Sequence, residues 1–439
     1  MLNTFLFKHI DNSALIVFRI AFGLLCFLES VGAIFTGWIT KTLVEPKFTF
    51  TFLGFEWLQP LPGPWMYVYY AIMGIFGLLI MLGYKYRASA FIFFIMWCAV
   101  YFMQKSSYNN HYYFLVLLSA FMVILPAHKY ASIDAKLNPK IKKISMPAWC
   151  KWIFVLQLLI LYTYASKAKM YPDWLDLSVP TILMQSKANY PIIGGFLQQH
   201  FMPYLVGYGG ILFDGLIIPL LLFKPTRKYA FFVSIFFHLF NSVVFQVGIF
   251  PFLSLAFSVF FFEPKMIRNL FLKKKKYYAK AEIKVPNYKP VLITLGSIYF
   301  IIQLILPIRH HFIKDNVLWT EEGHRLSWRM MLRSKSGYTR FRVVNRATNE
   351  TTLISLNHYL TKKQIRSINY KPDFIWQFAQ HLKREYKEKG EEIKVFVTAK
   401  VSVNGKPREQ LIDENVDLAN TQWHYFTHNN WILPSKLDD

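Results

Sequence analysis

The sequence predicts a polytopic α-helical membrane protein of about nine transmembrane helices, followed by a C-terminal extracytoplasmic α+β domain. Three observations predict it. Apolar runs of about twenty residues recur between Ala14 and Ile308, the length needed to cross a hydrocarbon core of ~30 Å. Lys and Arg outnumber Asp and Glu by 50 to 25, yet they gather in the short loops between apolar runs, as the positive-inside rule expects. Beyond residue 308 the composition changes: residues 309–439 hold 15 of the 25 acids and no further spanning run.

The spans are expected at about 14–37, 65–83, 88–104, 112–127, 148–166, 204–223, 229–245, 247–262 and 289–308. Gln246, Gly248 and Pro251 interrupt the apolar stretch 231–262 where a tight turn would sit, so it crosses twice or, as one bent span, once. Lys85 with Arg87, five lysines within 129–143, Lys224 with Arg227 and Lys228, and the lysine run 273–276 fall on one side. That side should be cytoplasmic, which places 39–64, 105–111, 167–203 and everything after 308 on the opposite face. The expected domains are thus 1–308 and 309–439, in a multi-pass membrane protein of the inner membrane if the source is bacterial. The N-terminus lacks the residue order of a cleaved signal peptide, so the first span is expected to stay. Basic residues confined to loops argue for the lipid bilayer as partner and against nucleic acid. Cys26, Cys98 and Cys150 lie in or beside apolar spans as small core residues, with no metal-ligand spacing.

In the outer domain, alternation over 339–346, 351–357 and 393–403 predicts strands, and Asn404-Gly405 predicts a hairpin turn. Residues 372–389 read as an amphipathic helix with Phe374, Phe378, Leu382 and Tyr386 along one face.

Chemistry-bearing residues cluster on the outer side. Lys167 and Lys169 stand where the apolar run 152–164 gives way to Met-Tyr-Pro-Asp-Trp at 170–174. Either lysine can anchor the helix end by snorkelling, or act as a base if desolvation keeps its amine neutral. Lys105, Asn109, Asn110 and His111 precede the fourth span. The amides either orient the histidine or cap the helix that begins there. Deeper lie Arg19, Glu29, Asp214, His238 and Asn241. Ionisable groups at that depth line cavities or form structural networks, and Arg19 with Glu29 or Asp214 is the pairing expected first. His238 and Asn241 share a helical face. No P-loop, dinucleotide fingerprint, Gly-x-Ser-x-Gly elbow or His-Glu-x-x-His metal site appears. The remaining parts suit proton abstraction from an amphiphilic substrate.

These motifs, in order, resemble the vitamin K-dependent gamma-glutamyl carboxylases, in the short form grouped with horizontally transferred transmembrane domain proteins. The likeness rests on Phe18-Arg19, Pro60-Leu61-Pro62 before Trp65-Met66-Tyr67, Lys105 with Asn109-Asn110-His111, Lys169 with Asp173-Trp174, and His238 with Asn241-Ser242. It continues through Leu306-Pro307, Trp319-Thr320, Ser327-Trp328 with Met330-Met331, and Trp423. The resemblance implies an enzyme that oxidises vitamin K hydroquinone, or a related naphthohydroquinone, to its epoxide with dioxygen. That oxidation is coupled to removal of a γ-proton from a glutamate in an exported peptide or protein, whose carbanion captures carbon dioxide.

By position, Lys169 matches the hydroquinone base and His111 the histidine on the glutamyl or carbanion side, with Asn109, Asn110 and Lys105 in support. Arg19, Asp214, His238 and Asn241 are candidates for the quinone cavity. Trp319, Ser327, Trp328, Met331, Arg333 and Lys335 fall in the segment associated with peptide glutamate. The sequence departs from the family there: Arg329 stands where an acid follows Ser-Trp, and Arg333 where a histidine is usual. No cysteine follows Cys150, so the disulfide that staples some members cannot form and packing must join the domains. Two rival readings stay open. One is a naphthohydroquinone epoxidase or oxidase without peptide carboxylation; the other is a non-catalytic lipid- or peptide-binding membrane protein.

Overall fold

Among the described residues, seven helices are long and apolar enough to cross a membrane: Ser13–Phe35, Trp65–Leu82, Tyr86–Met103, Trp149–Ala168, Met202–Leu222, Arg227–Phe245 and Lys289–Phe312. The structure is a computed structural model, and it describes residues 2–437. Two of the nine expected spans differ from simple crossings. Asn110–Ile124 has only 15 residues, about 22 Å of helix, which is short of the ~30 Å core. It sits inside the bundle, with Phe114, Leu115 and Leu118 fully buried. The stretch 231–262 folds back on itself at Gln246 and Gly248, both left-handed at φ +51° and +65°. Its return arm Phe250–Phe260 then bends by 116° into Pro264–Phe271, so eight crossings result if that bent pair counts as one.

Close packing starts with glycine. A Cβ on Gly23 would lie 2.3 Å from the backbone of Met81, and one on Gly77 would lie 2.7 Å from Phe27 N. Ser13–Phe35 and Trp65–Leu82 can therefore touch backbone to backbone, the small-residue contact that drives helix association in lipid.

The C-terminal α+β domain carries an antiparallel sheet in the order Thr351–Ile354, Lys335–Asn345, Ile393–Val403, Glu409–Gln410. Phe341 lies opposite Val397. Alternate residues of Ile393–Val403 are buried, and Val395, Val397 and Ala399 pack in one core with Phe374, Phe378 and Leu382 of the helix Pro372–Glu388. Asn404 and Gly405 both adopt positive φ, as the hairpin turn requires. The strand expected over 351–357 stops at Ile354, because Leu356–His358 tightens into a 3₁₀ turn.

Packing does join the domains. Phe50 packs against Phe374 with ring centroids 4.4 Å apart and the rings tilted by 37°, and Gln377 donates to the Thr51 carbonyl at 3.2 Å. Lys105, from the loop before Asn110–Ile124, pairs with Asp373 at 2.5 Å, and Arg325 approaches the same carboxylate at 2.9 Å. Segments from 39–64, 105–111, 167–174 and the soluble domain therefore meet at one end of the bundle. At the other end, Lys275 forms a fully buried pair with Asp11 at 2.6 Å, and Asp134 accepts from the backbone of Lys85 and Tyr86.

Asp373 ties the loop to the domain. Burial pushes its carboxyl up, but Arg325 and Lys105 overcome that and hold it down from 3.8 to about 2. A depressed carboxylate stabilises the fold above its ordinary value and loses that share as pH falls through its folded value. Asp373→Asn is thus expected to cost roughly 3 kcal/mol. It should also flatten the acid loss of stability between about pH 4 and 2, read from unfolding of the detergent-solubilised protein.

Candidate active site

A cavity of about 250 Å³ opens among Trp149–Ala168, Met202–Leu222, Arg227–Phe245 and the return arm. Aromatic rings dominate its wall: Trp174, Phe213, Phe237, Phe240, Phe245 and Phe250. Leu205, Val233 and Phe236 also line it and are exposed on the outer surface of the bundle. The cavity therefore has a side facing the apolar surface that lipid would cover.

Lys169 is placed by the way its helix ends. It caps Trp149–Ala168 in a right-handed conformation, and Pro172 starts a new turn three residues later. The side chain folds back, donating to the Ala165 carbonyl at 3.2 Å and to Asp214 Oδ2 at 2.5 Å. Two cross-links fix the helices that carry this pair: Ser166 Oγ donates to Ile211 O at 2.9 Å, and Trp174 Nε1 donates to Gly207 O at 3.1 Å. Both side chains of the pair are about nine-tenths buried. A buried ammonium or carboxylate is tolerated only with such a partner.

His111 lines the same cavity. Its ring stacks on Phe250 at 4.5 Å, and its buried Nδ1 has no hydrogen-bond partner among the described residues. Tyr162, two helical turns before Lys169 and on the same face, also reaches the cavity, and its hydroxyl is 3.1 Å from His238 Nε2 and 3.3 Å from Ser254 Oγ. His238 stands behind Tyr162. Asn241 lines the wall while its amide donates to the Phe237 carbonyl at 2.9 Å. Tyr162 escaped sequence reasoning because a tyrosine in an apolar run reads as an interfacial anchor.

Other candidates lie elsewhere. Arg19 pairs with neither Glu29 nor Asp214. It donates to the carbonyls of Ala127 and Ala131 at 3.2 and 2.6 Å, at the end remote from the cavity. Carbonyl dipoles after Asn110–Ile124 take the place of an acid at its two terminal nitrogens, while its Nε is buried without a partner among the described residues. Glu29 accepts from the Tyr112 hydroxyl at 2.7 Å. Asn109 is the N-cap of Asn110–Ile124, accepting from Tyr112 N at 2.7 Å. Asn109→Ala should cost about 1 kcal/mol of stability, measured by thermal unfolding, with little effect on ligand binding. Asn110 donates to the Arg329 carbonyl at 2.9 Å, tying the helix start to the C-terminal domain. Lys105 belongs to the domain junction, not the cavity wall.

In the segment 319–335, Met331 lines the cavity with its neighbour Met330. Trp319 donates to Leu433 O at 2.7 Å within the soluble core, and Ser327 donates to the Gly323 carbonyl at 2.6 Å. Trp328 is fully buried against Tyr113, with ring centroids 4.9 Å apart. Arg333 and Lys335 both pair with Glu321, the lysine at 3.2 Å. These two cations are thus committed inside the protein, because buried charge demands a counter-charge. Leu326, Trp328 and Met331 take positive φ of 58°, 56° and 51°, a conformation bulky residues rarely adopt. Such strain concentrates at functional sites.

Residues 7–265 match the HTTM domain, and residues 288–438 match the lumenal domain of vitamin K-dependent gamma-carboxylase. The chain belongs to the vitamin K-dependent gamma-carboxylase family. No solved structure matches it. In this gamma-carboxylase-like membrane protein the second match begins just before the span Lys289–Phe312, so the last crossing travels with the C-terminal α+β domain. Membership also implies a vitamin K cofactor. The aromatic wall fits an apolar bicyclic ring, and the Lys169–Asp214 pair offers a polar contact at its edge.

Proposed function

We propose that the protein couples oxidation of a naphthohydroquinone by dioxygen to carboxylation of glutamate in an exported peptide, with its soluble domain outside the cytoplasm. One observation carries this reading: a buried lysine–carboxylate pair and an unpartnered histidine share one aromatic cavity that faces the lipid side. When bound, the hydroquinone would supply the electrons that reduce dioxygen, a reaction that yields epoxide and the strong base that takes the glutamate γ-proton.

The chain's own residues do the rest. Lys169 shares its proton with Asp214, and the pair as a unit takes up the hydroxyl proton of the hydroquinone, ending as ammonium beside neutral carboxyl. Asp214 thus sets the charge on Lys169 before and after transfer. Tyr162, held by His238, offers a hydroxyl at another point of the cavity wall to orient the ring. His111 Nδ1 is free to hydrogen-bond on the glutamyl side. Phe236 and Val233 admit an apolar ring from the bilayer, while the rest of the aromatic wall excludes water, which would otherwise quench a strong base.

The test supplies purified protein with reduced naphthoquinone, dioxygen, labelled carbon dioxide and a glutamate-containing peptide. Epoxide together with label in the peptide is expected. Commitment of Arg333 and Lys335 to Glu321 favours the rival epoxidase, and quinone turnover without label would establish it instead. Binding without any turnover would leave the non-catalytic reading.

A further inference from the structure

A second cavity, of about 600 Å³, lies across the turn 167–173 from the first. Lys167, Arg329, Lys406, His310 and His311 line it, against two acids, Asp173 and Asp315. Those acids are already engaged: Asp315 accepts from Ser435 N at 2.7 Å and from its hydroxyl at 2.5 Å, and Asp173 accepts from Asn404 at 2.8 Å and lies 3.7 Å from Lys406. Arg329 is different. It is 9% exposed, its Nη1 lies 3.3 Å from His310 Nε2, and its buried Nε has no partner. Among the described residues, no carboxylate is within ion-pair distance of it, whereas neighbouring Arg325 and Arg333 each hold one. A buried guanidinium without a counter-ion marks a place for an anion.

The surroundings say which anion. The cavity is framed by the last turns of two spans, Trp149–Ala168 and Lys289–Phe312, pinned together where the Tyr164 hydroxyl donates to Leu304 O at 2.7 Å. The second of these spans is almost wholly outside the bundle, with 11% of its apolar window buried. Ile301, Ile305, Ile308 and Phe312 form one stripe along it, and Ile308 continues into the cavity lining. Positive charge at the level of the headgroups, above an apolar stripe running into hydrocarbon, is the chemistry of an acidic lipid.

We propose that this cavity binds an anionic phospholipid, its phosphate held by Arg329 and Lys167 and its acyl chains lying along Ile301, Ile305 and Phe312. A peptide carboxylate offers the same charge but no use for the stripe. The proposal stands apart from the quinol reading, since its readout is lipid binding.

The full chain in detergent is titrated with phosphatidylglycerol and, separately, phosphatidylcholine, and bound lipid is followed by native mass spectrometry. Phosphatidylglycerol binding is expected to weaken about tenfold or more in Arg329→Gln, less in Lys167→Gln, and little in Arg329→Lys, with phosphatidylcholine unaffected throughout. Lys167 is exposed, so Lys167→Gln guards against loss of fold at Arg329. Unchanged phosphatidylglycerol binding in Lys167→Gln and in a folded Arg329→Gln overturns the proposal. Displacement of the lipid by inorganic phosphate would assign the site to a free anion, and displacement by a glutamate-containing peptide would assign it to an acidic peptide; either result overturns it too.

Discussion

Replacing Lys169 by alanine is expected to lower naphthohydroquinone epoxidation by about 10²- to 10⁴-fold, the range typical of a lost general base. The variant also strands Asp214 in a buried site, a loss of roughly 3–5 kcal/mol when one partner of a buried pair is removed. Activity alone would then be ambiguous. The double variant Lys169→Ala with Asp214→Asn removes both charges, so it should recover most of the stability and none of the epoxidation. Lys169→Arg keeps a cation beside Asp214 but should fail as well, because a guanidinium cannot take the neutral form from which Lys169, with the shared proton on Asp214, accepts the hydroxyl proton. Asp214→Asn by itself should impair epoxidation with Lys169 still present, since proton sharing needs the carboxylate. Quinone turnover near the wild-type rate in the folded double variant would remove Lys169 and Asp214 from the mechanism.

The pairing on which that prediction turns was not legible in the sequence. Arg19, Glu29 and Asp214 all announce themselves as intramembrane charges, but the partner of each depends on how helices far apart in the chain are rotated against one another. Lys169 and Asp214 are 45 residues apart, beyond any periodicity argument. Arg19 needed no acid, because the carbonyls after Asn110–Ile124 turn toward it. Local features were legible where local physics decides them. The strand Ile393–Val403 alternates with a strict period of two, Asn109 carries the short oxygen an N-cap needs, and Asn404-Gly405 tolerates positive φ.

The segment 319–335 shows the opposite case. The family resemblance implied a role there toward a peptide glutamate, yet Arg333 and Lys335 are spent on Glu321 and Trp319 on the core of the C-terminal domain. Composition identifies charge but not its partner. What the segment brings to the cavity is a pair of methionines, Met330 and the left-handed Met331, and methionine is a side chain that adapts its shape to what it meets.

His111→Ala is expected to lower glutamate carboxylation by about 10²-fold or more while leaving epoxidation within a few-fold of wild type. The separation follows from the positions of the two polar stations. Lys169 and Asp214 satisfy each other, whereas His111 Nδ1 is buried on the cavity wall with no partner of its own, so its hydrogen-bonding capacity is reserved for a ligand. Loss of the ring also removes a 4.5 Å stack on Phe250 and leaves a void, so His111→Phe is the matched control: it keeps the stack and lacks the nitrogen. Both variants should show quinone turnover without label in the peptide. If His111→Phe carboxylates normally, the ring serves only to pack the return arm. If epoxidation and carboxylation fall together in both variants, His111 belongs to the quinol side with Lys169, and the two-sided cavity proposed for this protein is wrong.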